Sequence, residues 1–364
     1  MDNLNRIWNF NPGPATLPVS VLEKAKEEML NYAGTGMSVM ELSHRSKAYE
    51  AIQDEARNLL CELLGIPSNY KVLFLQGGAS LQFAMLPMNF LVSGKSADYI
   101  LTGYWSQKAY KEAKNIGNVR VAGTTEASNF NRIPEQNELS LDSNAVYCHI
   151  TSNNTIFGTQ WKTFPETGSV PLVADMSSDI LSRKLDVSRF AMIYAGAQKN
   201  LGPAGVTVVI LREEWIAQAR TDIPTILKYA IHAENNSLYN TPPCYAIYIM
   251  KLVLEWVKQL GGLSAIEKRN EEKGKMLYGT IDALSEFYKG TAEPKSRSLM
   301  NATFRLPTEE LEAKFLSEAS ALGFGGLKGH RSVGGIRVSM YNALEPEGIK
   351  ALTEFMKEFA RKNG

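Results

Sequence analysis

The sequence predicts an α/β protein: a large domain built on a mostly parallel sheet with helices on both faces, followed by a small C-terminal α+β domain. Three observations predict it. From Tyr70 to Leu211 short apolar runs alternate with helix-like stretches, the rhythm of β–α units. From about Leu284 that rhythm changes to a sparser mix of strands and helices. Between them, Ala191–Leu211 (AMIYAGAQKNLGPAGVTVVIL) reads as two buried strands joined by a Gly-Pro turn, with one lysine, Lys199, at the join.

In chain order, residues 9–18 (NFNPGPATLP) are too rich in Pro and Gly for a helix and read as an extended arm. A helix from Pro18 follows, with Leu22, Ala25, Met29 and Leu30 at helical spacing, and it ends near Gly34-Thr35-Gly36. His44-Arg45-Ser46 form a loop before an amphipathic helix with Ala51, Ala56, Leu59, Leu60, Leu63 and Leu64 on its apolar side. Gly65 closes that helix. YKVLFLQGG, SADYILTG, NVRVAGTT, AVYCHIT and VPLVADMSSD read as strands, and ASLQFAMLPMNFL and YWSQKAYKEAKNIG as helices between them. REEWIAQAR reads as the helix after the returning strand VTVVIL. TPPCYAIYIMKLVLEWVKQLGG is a buried helix closed by Gly261-Gly262, and LSAIEKRNEEKGKMLYGTIDAL a long charged one that can link two domains. MNATFRLP and GGIRVSMY are strands of the last part, and TEELEAKFLSEASALG and EPEGIKALTEFMKEFARKNG its helices.

Composition excludes several function classes. Lys and Arg total 39 and Asp and Glu 38, so no global field favours nucleic acid or an anionic membrane. The 364 residues, 44% hydrophobic and 21% charged, suit a soluble chain large enough for a sizeable core. No apolar run is long enough to span a bilayer, and the N-terminus lacks the order of a signal peptide. Cys61, Cys148 and Cys244 are odd in number and far apart, which is neither a disulfide framework nor a metal site. A cytoplasmic, reduced protein is expected. Gly94-Lys95-Ser96 ends like a nucleotide phosphate loop, but Asn89 stands where the motif needs glycine.

In parallel sheets ligands sit at the carboxyl ends of the strands. That rule brings Gly77-Gly78-Ala79-Ser80, Trp105, Thr155, Asp175 and Lys199 to one rim. A lysine in a water-poor setting has a lowered pKa, and its neutral amine is a nucleophile suited to a Schiff base. Taken alone, Lys199 also fits a solvated lysine at a strand end, and Asp175 a helix N-cap. Together, at the ends of neighbouring strands, they match what pyridoxal phosphate requires. The amine forms an imine, and the carboxylate pairs with the protonated pyridine nitrogen. Gln198 and Thr155 can hydrogen-bond the ring oxygen, though Thr155 fits a plain turn as well. Trp105 can stack on the ring, or be a half-buried core tryptophan. Gly77–Ser80 opens a helix whose free N–H groups suit the cofactor phosphate, a turn that is also common without a ligand. Two basic clusters, His44-Arg45 and His330-Arg331 with Arg337, suit a substrate with two or more anionic groups, one a phosphate.

The chain strongly resembles the phosphoserine aminotransferases, a class V, fold-type I family of pyridoxal-phosphate enzymes. The resemblance runs nearly end to end. It is carried by NFNPGPA, MSVMELSHRSKAYEAI, LQGGASLQFAMLPMN, TGYWSQKA, TSNNTIFGTQW, ADMSSDILSR, YAGAQKNLGPAGVTVVI, YNTPP and GGLKGHRSVGGIRVSMYNA. AGAQKNLGPAG and GHRSVGGIRVSMYNA separate this family from other aminotransferases of the fold. The resemblance implies a seven-stranded, mostly parallel sheet in a large domain at 16–265, with residues 1–15 and 266–364 forming the small domain. It implies pyridoxal 5'-phosphate carried on Lys199, one per subunit, with Lys199 then relaying the proton. Asp175 would pair with the pyridine nitrogen, Trp105 stack on the ring, and Thr155 and Gln198 bond its polar edge. Ala79 and Ser80 would bind the phosphate, completed by Asn240 and Thr241 from the second subunit of a homodimer. Arg337 would clamp the α-carboxylate. His44, Arg45, His330 and Arg331 would cradle the substrate phosphate or the side-chain carboxylate of glutamate, His44 and Arg45 reaching in from the partner.

Some bacterial members carry arginine at the position of Ser80. Serine here keeps the backbone N–H but supplies no charge. The implied reaction moves an amino group from L-glutamate to 3-phosphohydroxypyruvate, giving O-phospho-L-serine and 2-oxoglutarate in serine biosynthesis. The four-carbon phosphorylated analogue of vitamin B6 (pyridoxine) biosynthesis stays open as a second substrate. Two other readings compete with it. A cysteine desulfurase needs a mobile cysteine near the substrate, and none of the three cysteines is placed for that. A non-catalytic binding protein would have no use for intact Lys199 and Asp175.

Overall fold

In the computed structural model, which describes residues 6–364, the apolar runs of the first half form one seven-stranded sheet. Its strands are β1 (Tyr70–Leu75), β2 (Ser96–Leu101), β3 (Asn118–Thr124), β4 (Cys148–Thr151), β5 (Leu172–Asp175), β6 (Met192–Gly196) and β7 (Thr207–Arg212). Their order is β1-β7-β6-β5-β4-β2-β3. Six strands run the same way, and β7 alone is antiparallel to both neighbours. The reason is local. The turn from Ala197 to Val206 is too short for the crossover that a parallel partner needs. β5 and β6 pair in parallel with Asp175 opposite Tyr194, which sets Asp175 and the turn holding Lys199 side by side.

Helices cover both faces, as expected. One face packs on α2 (Lys47–Leu64), α5 (Cys244–Gln259) and α6 (Gly262–Ala283) through Leu60, Leu64, Ile150, Ile193, Leu254 and Ile266. The other packs on α3 (Gly78–Phe90) and α4 (Tyr104–Lys114) through Phe83, Leu86, Tyr99, Ala109 and Val209. Ser46 caps α2, its hydroxyl accepting from Tyr49 N at 3.3 Å, a contact worth about 1 kcal/mol. Gly261, at φ 104°, breaks the apolar α5 from the charged α6.

A second core gathers Phe10, Leu277, Tyr288, Phe304, Phe315, Val338, Met356 and Phe359. It lies between the antiparallel strands β8 (Asn301–Arg305) and β9 (Ile336–Ser339), the helices α7 (Glu309–Ala321) and α8 (Pro346–Asn363), and the end of α6. The N-terminal arm joins this part of the molecule. Trp8–Asn9 pairs in parallel with Phe324–Gly325, and Phe10 N donates to Gly325 O at 2.8 Å.

Two expectations need correction. The first helix, α1 (Val19–Glu27), stops before Met29 and Leu30, and a single 3-10 turn, Tyr32–Gly34, follows. Asn31 Oδ1 accepts from Gly36 N at 2.7 Å and holds the chain in a loop, so helix propensity loses to local side-chain bonding. The stretch Arg212–Arg220 is helical only over Glu213–Ile216. Trp215 stacks on Phe90 at 3.7 Å, and Arg220 N is taken by Asn89 O at 2.8 Å, which turns the chain back toward α3. Among the described residues no helix is long and apolar enough to cross a membrane.

Candidate active site

The carboxyl ends of β1, β2, β4, β5 and β6 open into one cavity of about 290 Å³. From the sheet side Thr155, Asp175, Gln198 and Lys199 line it. Gly78, Ala79 and Ser80 enter from the start of α3, and Trp105 from α4. His330 and Arg337 close it from the second core, and Pro12 and Gly13 from the N-terminal arm. Nine of the candidate side chains singled out in the sequence therefore meet in one place, brought from positions 79 to 337.

Lys199 follows β6 in the first turn of the Ala197–Val206 connection. Its Nζ donates to Thr155 Oγ1 at 2.7 Å. Gly13 presses on its stem: a β-carbon there would lie 3.1 Å from Lys199 Cγ and 3.3 Å from Cε. Burial strips water from the ammonium and lowers its pKa to about 8. Asp175 opposes that shift, and the charge of Arg337 adds to it. At pH 7 about 10% of such a lysine is neutral amine, against about 0.03% at the ordinary value. That is the difference between an inert cation and a usable nucleophile.

Asp175 is 5% exposed. Its Oδ1 accepts from Ser177 N at 2.9 Å and from the Ser177 hydroxyl at 2.6 Å. The Ser177 hydroxyl in turn accepts from Gly196 N at 3.0 Å. These bonds fix the carboxylate and leave Oδ2 without a hydrogen-bond partner among the described residues. Burial pushes the pKa up, and the Ser177 bonds and the Lys199 charge pull it back. A buried carboxylate with one committed oxygen and no paired cation is a receptor for a cationic N–H donor.

The start of α3 follows Gly77 at φ 85° and Gly78 at φ 62°. No side chain caps it and no acidic residue lies in its first turn, so its N–H groups stay available to an anion. Trp105 is half-buried in the first turn of α4, with Nε1 buried and unpartnered. Arg337, on β9, is 7% exposed. Among the described residues it forms no ion pair, and its Nε is a buried donor without an acceptor. Burial lowers its pKa, with Tyr341 opposing. A guanidinium held this way is set to receive an anion. His330 Nδ1 lies 2.7 Å from Ser332 Oγ, and burial and the charges of Arg337 and Arg331 hold its pKa down. This donor set fits pyridoxal phosphate: an amine, a buried carboxylate for the ring nitrogen, an aromatic ring and an uncapped helix end.

Five of the residues singled out are not brought to the cavity. Arg331 is exposed and does not line it. His44, Arg45, Asn240 and Thr241 form a separate cluster: Thr241 Oγ1 is 3.4 Å from His44 Nδ1, Arg45 Nε 3.4 Å from His44 Nε2, and Asn240 Nδ2 3.4 Å from Gln76 Oε1. Sequence reasoning passed over Ser177, which orients Asp175, and the Gly13 contact with Lys199. Ser177 had a signal, standing two residues past the aspartate where an Asx turn forms. Gly13 had none, because its partner lies far along the chain.

The aminotransferase class-V family matches residues 7–352. The chain is 57% identical to a phosphoserine aminotransferase of Herpetosiphon aurantiacus over 358 residues, 98% of this chain and 99% of the relative. It is 55% identical to one of Bacillus subtilis over 360 residues, covering 99% and 100%. Among solved structures it is similar to a phosphoserine aminotransferase from Bacillus circulans subsp. alkalophilus, with a TM-score of 0.97, 54% identity and 99% of each chain covered. It is also similar to a PLP-bound phosphoserine aminotransferase from Trichomonas vaginalis, with a TM-score of 0.92, 38% identity and coverage of 97% and 100%.

Proposed function

We infer that the pocket around Lys199 is a transamination site, because the chain belongs to the class-V aminotransferase family and the pocket holds what that chemistry requires. The enzyme is a phosphoserine transaminase that uses pyridoxal phosphate. It moves an amino group from L-glutamate to 3-phosphohydroxypyruvate, giving O-phospho-L-serine and 2-oxoglutarate. The observation that carries the reading is the meeting of a buried Lys199 amine, held by Thr155, with a buried, unpaired Asp175 of the adjacent strand in one cavity.

The residues divide the work. Asp175 Oδ2 would hold the protonated ring nitrogen, and the N–H groups of Gly78–Ser80 the phosphate. Trp105 would cover the ring face, and Thr155 and Gln198 its polar edge. When bound, the cofactor supplies an electron sink for the bonds at the substrate α-carbon. Lys199 Nζ would take the proton from that carbon and return it on the other side of the exchange. Arg337 would receive the α-carboxylate, which ends its unpaired burial. His330 would sit at the far anionic group, with Arg331 swinging in from its exposed position.

A homodimer is proposed, supported by four of the five residues that the single chain leaves outside its own cavity. His44, Arg45, Asn240 and Thr241 would complete the partner's site. The same side of the molecule carries a groove of about 710 Å³ lined by Leu22, Met29, Met40, Pro243, Tyr245 and Ile249. Leu30, at 84% exposed, and Met40, at 60%, suit burial in such an interface. A large domain at 16–265 and a small one at 1–15 and 266–364 are proposed, supported by the second core, which draws on Phe10 and on residues between Leu277 and Ala360; Ile266 still packs in the core of the sheet, and residues 1–5 lie outside the described residues. Three free cysteines suit the cytoplasm.

The test is reconstitution with pyridoxal phosphate followed by titration with glutamate. Absorbance at the visible edge should form, shift on glutamate addition, and be missing in Lys199→Ala. A colourless wild type refutes the site. A spectrum that glutamate leaves unmoved refutes transamination and favours a binding protein.

A further inference from the structure

The chain from Met340 to Leu344 follows the strand that carries Arg337 and bonds to two neighbours of Lys199, Asn200 and the N-terminal arm at Pro12. The Asn342 N–H donates to Asn200 Oδ1 at 3.0 Å, beside Lys199 in sequence. The Tyr341 hydroxyl donates to Pro12 O at 2.8 Å, next to the Gly13 that presses on the lysine stem. This short turn therefore joins the proposed carboxylate clamp to the loop and arm that hold the amine.

α6 grips the turn from behind. Lys273 is 0% exposed, and its Nζ donates to Met340 O at 2.9 Å, Tyr341 O at 2.7 Å and Leu344 O at 3.1 Å. One helical turn earlier, Asn270 Nδ2 donates to Asn342 Oδ1 and to Ser182 O, both at 2.9 Å. Asn342 Nδ2 completes the set by donating to Leu181 O at 2.9 Å. Burial lowers the pKa of Lys273 to about 7, with the Arg269 charge adding and Glu345 opposing, and in the protonated form each of the three ammonium donors finds a carbonyl of the same turn. Among the described residues Lys273 has no carboxylate in pairing distance: Glu345, which follows Leu344 in the chain, is taken by Arg269 at 2.7 Å. A buried charge without a counter-ion is a poor route to stability, and an apolar side chain would fill the space at lower cost. What the ammonium provides is a fixed geometry for three carbonyls at once.

We propose that Lys273 is a positioning residue for transamination, clamping the Met340–Leu344 turn so that Arg337 is held in register with Lys199. Asn342 serves the same register from the other side of the turn. The proposal rests on the reading of the Lys199 pocket as a transamination site. Displacing the clamp loosens Arg337 and weakens its grip on the α-carboxylate shared by phosphoserine and glutamate. Contacts to the ring and phosphate, which come from Asp175, Trp105 and the start of α3, stay in place.

The test uses Lys273→Met, which keeps the stem and removes the donors, and Asn342→Ser, which keeps the N–H to Asn200 and loses the amide. Rates are normalised to bound cofactor read from absorbance, and backbone hydrogen exchange is followed on cofactor-free protein. The expected result is a KM for phosphoserine and for glutamate raised about tenfold or more, with kcat per cofactor within about threefold. Exchange should quicken at 336–344 and 10–15. A lysine that only supports the fold would lower the yield of holoenzyme and leave KM unmoved. KM within twofold of wild type, whatever the exchange shows, overturns the proposal. If Lys273→Met does not fold, Asn342→Ser decides by the same criteria. A wild type that binds cofactor but does not turn over phosphoserine defeats the functional reading instead, and hydrogen exchange still judges the clamp.

Discussion

Arg337→Met should leave the ligand-free protein as stable as wild type or more so, while it disables the enzyme. Arg337 is 7% exposed, has no ion pair among the described residues and keeps Nε without an acceptor. An unsatisfied buried donor costs on the order of 1–3 kcal/mol. Methionine keeps most of the stem packing and removes that cost, so the expected change lies between zero and about 2 kcal/mol in favour of folding. With roughly 2 cal/mol/K of unfolding entropy per residue, a chain of this length would gain at most about 3 °C in Tm. Activity goes the other way. Losing a desolvated guanidinium–carboxylate pair costs about 3–5 kcal/mol, so kcat/KM for phosphoserine should fall about 10²- to nearly 10⁴-fold. Lys199 should also titrate higher, because the Arg337 charge is one cause of its lowered pKa. Denaturant unfolding of the cofactor-free proteins and steady-state kinetics of the reconstituted ones give both numbers. Destabilisation by more than about 2 kcal/mol would refute the reasoning, since it would mean that the guanidinium is already satisfied in the empty fold.

Other expectations follow from the same geometry. If His44 and Arg45 serve the partner's pocket, mixing inactive Arg45→Ala with inactive Lys199→Ala should restore roughly a quarter of wild-type activity, because half of random dimers are hybrids with one whole site. No recovery would place Arg45 in its own chain's site. The cofactor-free protein should take up pyridoxal phosphate faster as pH rises through about 8 and then level off, following the neutral amine of Lys199. A rise that continues toward pH 10 would mean an unperturbed lysine. Because this folded pKa lies below its unfolded value of 10.5, the lysine opposes folding at neutral pH, and that penalty fades between about pH 8 and 10.5. Gly13→Ala should cost about 1–3 kcal/mol and slow cofactor uptake, since φ is 128° and the new carbon would meet Lys199 Cγ at 3.1 Å. Unchanged uptake would show that the arm yields freely.

The sheet was legible because its strands are short apolar runs punctuated by glycine, a local signal. The rim followed from one topological rule, which is why Asp175 and Lys199 could be paired before their strands were seen to be neighbours. Helix ends were less legible. Met29 and Leu30 keep helical spacing, but Asn31 bonds Gly36 and the chain leaves the helix at Glu27. Contacts between distant segments were not legible at all. Nothing near Gly13 points to Lys199, and nothing near Lys273 points to the turn after Arg337. Motif resemblance placed Arg45 and Asn240 in the site, yet the single chain leaves both outside its cavity.

The central claim is that Lys199 serves a transaminase for a phosphorylated amino acid. It is tested most directly by incubating the reconstituted enzyme with O-phospho-L-serine and 2-oxoglutarate and measuring glutamate formed, beside alanine and aspartate as amino donors. Glutamate from phosphoserine at a kcat/KM at least about a hundredfold above the other donors, with none formed by Lys199→Ala, is the predicted result. Equal use of alanine or aspartate, or turnover that survives Lys199→Ala, would contradict it.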